Sequence, residues 1–257
     1  MPASPTNGAV RRLLVAGLGN ASHPLTRHSV GQLLVKNLAK RACADPLHIR
    51  GSSRLDTVKF GRHANLFSQI TLRAPPSVSD QRDLELYFLV PKAAMNINGP
   101  PVVAAFEHLV PAAERHPLRR TPSPEQVAPP SPASDASSSR QSSRRSSPAP
   151  PKNLRHLVTI QDDLDLAPSK LKYQSGGGPR GHNGVRSVSK SLTSDKYHRL
   201  WVGIGRPEER SDVARYVLSP MARSEVQTCE MDDNGGRGGE VLERAWAEIL
   251  RIAFAEP

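Results

Sequence analysis

Apolar positions recur along this chain with two periods. Arg12 to Ala16 is a short apolar run that stops at Gly17-Leu18-Gly19-Asn20, and behind His28 the residues Val30, Leu33, Leu34, Leu38 and Ala42 recur at the spacing of one helix face. A strand, a turn and a helix are predicted there. Leu84 to Val90, LELYFLV, reads as a buried strand, and Val102, Val103, Phe106, Leu109 and Val110 form the apolar face of the helix after it. Leu154 to Ile160 is the next strand and runs into QDDLDLAP; a short helix from about Asn183 to Leu192 precedes a strand at Arg199 to Ile204. Leu242, Ala245, Trp246, Ile249, Leu250 and Ala253 give a last amphipathic helix. Strands alternating with helices in this order predict a single α/β domain.

One stretch has neither period. Residues 115–152 are rich in serine, proline and arginine and cannot bury enough apolar surface to offset the entropy of ordering, so they are expected to be a disordered insertion within a domain spanning 11–257. Residues 1–10 are expected to be a flexible N-terminal segment with no secretory hydrophobic region.

Charge sharpens the picture. The 257-residue chain carries a formal +11, and the insertion holds seven Lys/Arg against two acids, so the folded remainder is still about +6. A polyanionic partner such as nucleic acid fits that balance. Cys43 and Cys229 have no Cys or His companions at ligand spacing, so neither a disulfide framework nor a zinc site is indicated. No apolar run approaches the roughly 18 residues of a membrane span. The strand followed by Gly17-Leu18-Gly19 resembles the start of a dinucleotide fingerprint, but Ser22 stands where the third glycine belongs and Pro24 breaks the turn into the helix, which disfavours a nucleotide-dependent oxidoreductase.

The candidate chemistry sits at predicted strand ends. His28 opens a helix behind the first strand, while Asp162, Asp163 and Asp165 follow the apolar run ending at Ile160. Carboxyl ends of strands converge in an α/β sheet, so a carboxylate could orient the imidazole as a general base. Residue types alone leave open a second reading, in which His28 caps its helix and the acids are solvated. Asn20, Asn96 and Asn183 each flank a strand end or helix start, and a neutral amide can bind a carbonyl, a ribose hydroxyl or a water without disturbing a base.

Taken in order, GLGN, TRHSVG, AMNING, DDLDL, GGGPRGHNG and HRLWVGIGRP resemble the bacterial-type peptidyl-tRNA hydrolase family over almost the whole chain outside the insertion. The resemblance implies one α/β domain with a mixed twisted sheet flanked by helices, cleavage of the ester between a peptide and the terminal ribose of tRNA, and no metal or organic cofactor. It makes His28 the base that activates water and Asp162 the carboxylate that orients it. Asn20 and Asn96 match amides that hold the substrate near the ester, and Asn183 matches one that positions the 3′ end and the water. His182 is a second-tier candidate with a structural role. Lys170, Lys172, Arg180, Arg186 and Arg199 are the candidate tRNA contacts.

The chain departs from the family pattern at several places. The loop NASHPL is shortened, Ser29 replaces the usual asparagine after the histidine, Ala94 stands where a bulky residue is usual, and Gln174 and Trp201 occupy two positions where many members place basic residues. The expected partner is peptidyl-tRNA, met by a monomer in the cytoplasm, with mitochondria as the alternative compartment. The rival reading is a non-catalytic RNA-binding protein of the same fold.

Overall fold

The computed structural model describes residues 10–115, 154–232 and 237–255. Its strands are β1 (Arg11–Gly17), β2 (His48–Gly51), β3 (Asp56–Phe60), β4 (His63–Leu72), β5 (Leu84–Pro91), β6 (Leu154–Asp163), β7 (Leu171–Ser175) and β8 (Tyr197–Gly203). The helices are α1 (Val30–Cys43), α2 (Gly99–Leu109), α3 (Ala112–Arg115), α4 (Asn183–Leu192), α5 (Val213–Val217), α6 (Arg223–Thr228) and α7 (Glu240–Ala253). The expected N-terminal segment lies outside the described residues apart from Val10, and so does the expected insertion apart from Arg115, which closes α3.

All strands join one mixed sheet in the order β2-β4-β5-β1-β6-β8-β7, with β3 added to β4. The four central strands β5, β1, β6 and β8 run parallel, and β4 and β7 flank them antiparallel. The two-residue period of the strands sends alternate side chains to opposite layers. Leu13 and Val15 of β1 pack with Val158 and Ile160 of β6 against Leu34 and Leu38 of α1 and Trp246 and Ile249 of α7. Leu14 and Ala16, one residue out of phase, pack with Leu157 and Trp201 against Val102 and Phe106 of α2 and Val185 and Val188 of α4. Strands buried on both faces read as continuous apolar runs, which is why the central four were visible in the sequence.

Two departures from the expected elements bear on the functional residues and the sheet edge. Strand β6 does not stop at Ile160 but continues through Asp163, paired with β8 from Gln161 to Asp163, so Asp162 and Asp163 are fixed by the sheet ladder rather than carried on a loop. Residues 44–83, where the sequence pattern predicts no element, contribute β2, β3 and β4. Among the described residues, no helix is long and apolar enough to cross a membrane.

Glycine sets how closely α1 approaches the sheet. A Cβ on Gly31 would lie 2.2 Å from the Ile160 carbonyl oxygen and 2.7 Å from that of Leu18, and one on Gly17 would lie 2.4 Å from the Gly31 carbonyl oxygen. Bare backbone on both sides lets the start of α1 sit directly on the ends of β1 and β6. Gly31→Ala must push backbone apart, and overpacking of this kind costs about 3 kcal/mol. A denaturant titration of the purified variant should show the midpoint lowered accordingly, with m unchanged.

Candidate active site

The four parallel strands end on one side of the sheet, and the loops and helix starts that follow them enclose a cleft of about 750 Å³. Asn20 follows β1, Asn96 follows β5, Asp162 is the last residue but one of β6, and Arg206 and Arg210 follow β8. His28, His182, Asn183, Arg180 and Trp201 complete the polar side of the lining. Val213, Ala214, Val217 and Leu218, the last 42% exposed, give the lining an apolar stretch. The structure therefore gathers Asn20, His28, Asn96, Asp162 and Asn183 around one space.

His28 sits in a short 3-10 turn, Arg27–Ser29, that leads into α1. Its Nδ1 lies 2.8 Å from Asp162 Oδ1 and 3.0 Å from Oδ2, so the N–H at Nδ1 donates to the carboxylate and Nε2 is left as the nitrogen available to the cleft. Asp162 is only 3% exposed. A second imidazole shares it: His182 Nε2 lies 2.9 Å from Oδ1. The tautomer of His182 follows from its other nitrogen, because Nδ1 accepts from the Val185 N–H at 3.2 Å and caps α4. Its proton must therefore be on Nε2, donating to Asp162. Burial alone would raise the Asp162 carboxyl, but the two imidazoles donating to it win and hold it well below the usual carboxylate range.

The asparagines are placed by backbone rather than by each other. The Asn20 N–H donates to Ser29 Oγ at 3.0 Å, and that hydroxyl donates to the His23 carbonyl at 2.9 Å, so Ser29 is a buried brace between the Asn20 turn and the helix start. Asn96 is exposed on a 3-10 turn, Met95–Ile97. That turn is fixed by Asn98, which the sequence pattern did not single out. Fully buried, Asn98 accepts from the Gly19 N–H at 3.0 Å and donates to the carbonyls of Gly19 at 3.1 Å and Ala94 at 2.8 Å, which ties the β1 turn to the β5 turn. Its signal in the sequence was its place in AMNING, two residues after the chosen amide. Asn183 opens α4 and accepts from Arg186 at 3.0 Å.

The candidate tRNA contacts separate. Arg180 lines the cleft, donating to Asp163 at 2.7 Å and Asp165 at 3.4 Å with its guanidinium 5.5 Å over the Trp201 ring. Arg186 is exposed on α4 and Lys172 on β7. Lys170 is also exposed, 4.0 Å from Glu240 at the start of α7, and does not line the cleft. Arg199 is corrected: it is 0% exposed and has no face open to a phosphate. Its guanidinium donates to the carbonyls of Gly177, Gly178 at 3.0 Å and Asp195 at 3.1 Å, and it lies over the Tyr197 ring. It shapes the glycine loop in which Gly176, Gly177 and Gly181 hold positive φ. The sequence could not show this because surface and buried arginines look alike. Gln174 and Trp201 are bonded to each other, the indole N–H donating to Gln174 Oε1 at 3.1 Å. Arg206, 2.6 Å from Asp165, and Arg210 were missed in the sequence, where GRPEER offered only a mixed-charge run.

Arg199→Met is expected to leave those carbonyls unpaired and destabilise the protein by about 1–3 kcal/mol. If Arg199 only organises the loop, the salt dependence of tRNA binding by the folded variant stays that of wild type, which filter binding across a salt series would read.

His28, Asp162 and His182 offer ligand atoms within 4.8 Å of one another. Those atoms point at each other through two N–H donors, so a metal ion there would have to displace both bridging protons. The arrangement is that of one imidazole donating to a buried carboxylate, with a second imidazole donating to the same group.

Residues 142–244 match the family model described as peptidyl-tRNA hydrolase. Over 214 residues the chain is 29% identical to the peptidyl-tRNA hydrolase of Kineococcus radiotolerans, covering 82% of this chain and 80% of that protein. The peptidyl-tRNA hydrolase of Aromatoleum aromaticum is 28% identical over 247 residues, covering 95% and 88%. The fold is shared with a crystal structure of a peptidyl-tRNA hydrolase in complex with N-propanol, with a TM-score of 0.55 at 23% identity over 96% of this chain and 91% of that one. It is shared too with peptidyl-tRNA hydrolase from Acinetobacter baumannii, with a TM-score of 0.51 at 22% identity over 95% and 88%. The fold, the order of the motifs and these likenesses agree: along most of its length the chain is similar to peptidyl-tRNA hydrolases.

Proposed function

We propose that this chain is a peptidyl-tRNA hydrolase that cleaves the ester joining a peptide, or an N-blocked amino acid, to the 3′-terminal ribose of tRNA, with His28 as the base. The observation that carries the assignment of the base is the 2.8 Å contact between His28 Nδ1 and buried Asp162, which turns Nε2 toward the cleft. Nε2 takes a proton from a water as the water oxygen attacks the ester carbonyl carbon. The tetrahedral intermediate collapses by breaking the bond to the ribose oxygen, and the imidazolium returns its proton to that oxygen. Asp162 keeps the imidazole in the required tautomer and favours the imidazolium while it exists. Asn20, Asn96 and Asn183 supply amide donors and acceptors for the carbonyl oxygen, the ribose hydroxyls and the water. An ester is activated enough for a base, an orienting group and amide donors to suffice, with no covalent nucleophile.

On the acceptor side, Arg180 in the cleft lining, Arg186 on α4 and Lys172 on β7 are the residues we assign to phosphates, and their contribution would weaken with salt. Lys170 stands further off. The enzyme acts on peptidyl-tRNA as a monomer, in the cytoplasm or, as the alternative, in mitochondria. A purely RNA-binding role gives no reason to hold an imidazole against a buried carboxylate at the edge of a cleft. The direct test is incubation with N-blocked aminoacyl-tRNA and with free aminoacyl-tRNA, following release of the acyl group. Rapid release from the first alone is expected, and release from neither would overturn the function.

A further inference from the structure

We infer that Arg27 is a positioning residue that fastens the apolar wall of the cleft to the turn carrying His28, and so sets how tightly the acyl part of the substrate is held. This rests on the proposed hydrolysis of an acyl ester.

Arg27 immediately precedes the base, yet its side chain turns away from the cleft toward the segment after α5. One guanidinium nitrogen donates to Ser219 Oγ at 2.9 Å and to the Pro220 carbonyl at 2.6 Å, and the other to Glu225 Oε2 at 3.1 Å. The guanidinium carbon lies 4.6 Å from the centroid of the Tyr216 ring. Backbone contacts run in parallel: the Arg27 N–H donates to the Ser219 carbonyl at 3.1 Å and the Met221 N–H to the Leu25 carbonyl at 3.1 Å, with Thr26 and Pro220 forming an isolated antiparallel bridge. Glu225 is held in turn by the Ala222 N–H at 2.6 Å, and the Tyr216 hydroxyl donates to the Ile204 carbonyl at the end of β8. Arg27 and Glu225 side chains are 16% and 17% exposed, so water competes little for the pair.

The segment fastened in this way contains Val213, Ala214, Val217 and Leu218. A helix of five residues has little stability of its own, and α5 buries none of its residues fully. Its position therefore depends on what ties it down, and Arg27 contacts Tyr216 within it and Ser219 and Pro220 of the stretch that leads out of it. The polar side of the cleft suits the ester, the ribose and the water. The apolar side suits side chains of the acyl group, whose burial favours binding without touching the reacting atoms. A loosened wall should thus weaken substrate binding more than it slows the chemistry.

The test is steady-state kinetics of Arg27→Ala, Arg27→Lys and Glu225→Gln on N-acetyl-phenylalanyl-tRNA and N-acetyl-glycyl-tRNA, with the melting temperature of each variant recorded. Arg27→Ala is expected to raise KM for the phenylalanyl substrate about tenfold, a part of what burying a phenylalanine side chain contributes to binding. KM for the glycyl substrate should move little, and kcat for both should stay within about threefold. Arg27→Lys, which can still reach the Ser219 and Pro220 oxygens but lacks the fork and the stacking plane, should recover part of the loss. Glu225→Gln removes one anchor while Arg27 stays, and should show the same split at smaller size even if Arg27→Ala folds poorly. Unchanged KM in all folded variants, or an equal change for both substrates, overturns the inference. Failure of the wild-type protein to hydrolyse either substrate would instead overturn the proposed function.

Discussion

Turnover of the His28→Ala variant is expected to fall by about 10²- to 10⁴-fold, the range typical of a positioned general base, while affinity for tRNA changes by no more than about threefold. The separation follows from where the side chain is. His28 reaches the cleft through one ring nitrogen and spends the other on Asp162, so its removal deletes a proton acceptor and leaves the basic residues around the glycine loop untouched. The Asp162 carboxylate does not become an orphan, because His182 still donates to it at 2.9 Å. The fold should therefore survive, and a melt within a few degrees of wild type is the control. Single-turnover release of the acyl group together with filter binding of tRNA would measure both quantities. A rate within about threefold of wild type would remove His28 from the chemistry.

Legibility of the fold in the sequence depended on burial. The central strands and the helices α1, α4 and α7 could be read because each buries a regular stripe: Val30, Leu33, Leu34, Leu38 and Ala42 in α1 are all buried. The outer strands could not. Strand β4 buries Leu72 and Ile70 but interleaves them with Ser68, Gln69 and Thr71, and β2 and β3 are mostly exposed, so the composition there reads as loop. Among the site residues, proximity was inferable from strand ends converging, but network membership was not. That His182 shares Asp162, that Asn98 ties two turns together, and that Arg199 faces inward all depend on side-chain direction within a folded loop. The glycine loop GGGPRG has no period from which such directions could be read. Residue type misled most for arginine, since one residue named as a surface contact turned out to be a core scaffold, while Arg206 and Arg210, which line the cleft, were not among the named candidates.

Asp162→Asn should be as damaging as loss of the base itself, and the two histidines say why. His182 is locked in one tautomer by the Val185 N–H, so Nε2 always presents a proton to residue 162. An amide placed there must turn its carbonyl oxygen toward that proton, because two N–H groups cannot face each other. That oxygen, in the place of Oδ1, also lies 2.8 Å from His28 Nδ1, and the NH₂ group takes the place of Oδ2, 3.0 Å from the same nitrogen, so a donor is set against the His28 N–H. To accept from it, His28 must move its proton to Nε2, the nitrogen that faces the cleft, and an imidazole with that nitrogen protonated cannot take a proton from water. Loss of the correct tautomer in this way costs up to about 10⁴-fold in turnover. Asp163→Asn, which disturbs the 2.7 Å pair with Arg180 and the 2.9 Å bond from the Asp165 N–H but neither histidine, should have a far smaller effect. Nitrogen-15 spectra of the His28 ring would show the proton on Nδ1 in wild type and on Nε2 in the variant. Stability offers an independent check. A carboxyl held below its unfolded value contributes stability that is fully present above that value and is lost as pH falls through the folded one, so the stability gap between wild type and Asp162→Asn should be constant near neutrality and close below about pH 4. Equal rates for the two Asn variants, or an unaltered His28 tautomer with a lost rate, would show that Asp162 acts by some route other than holding that proton.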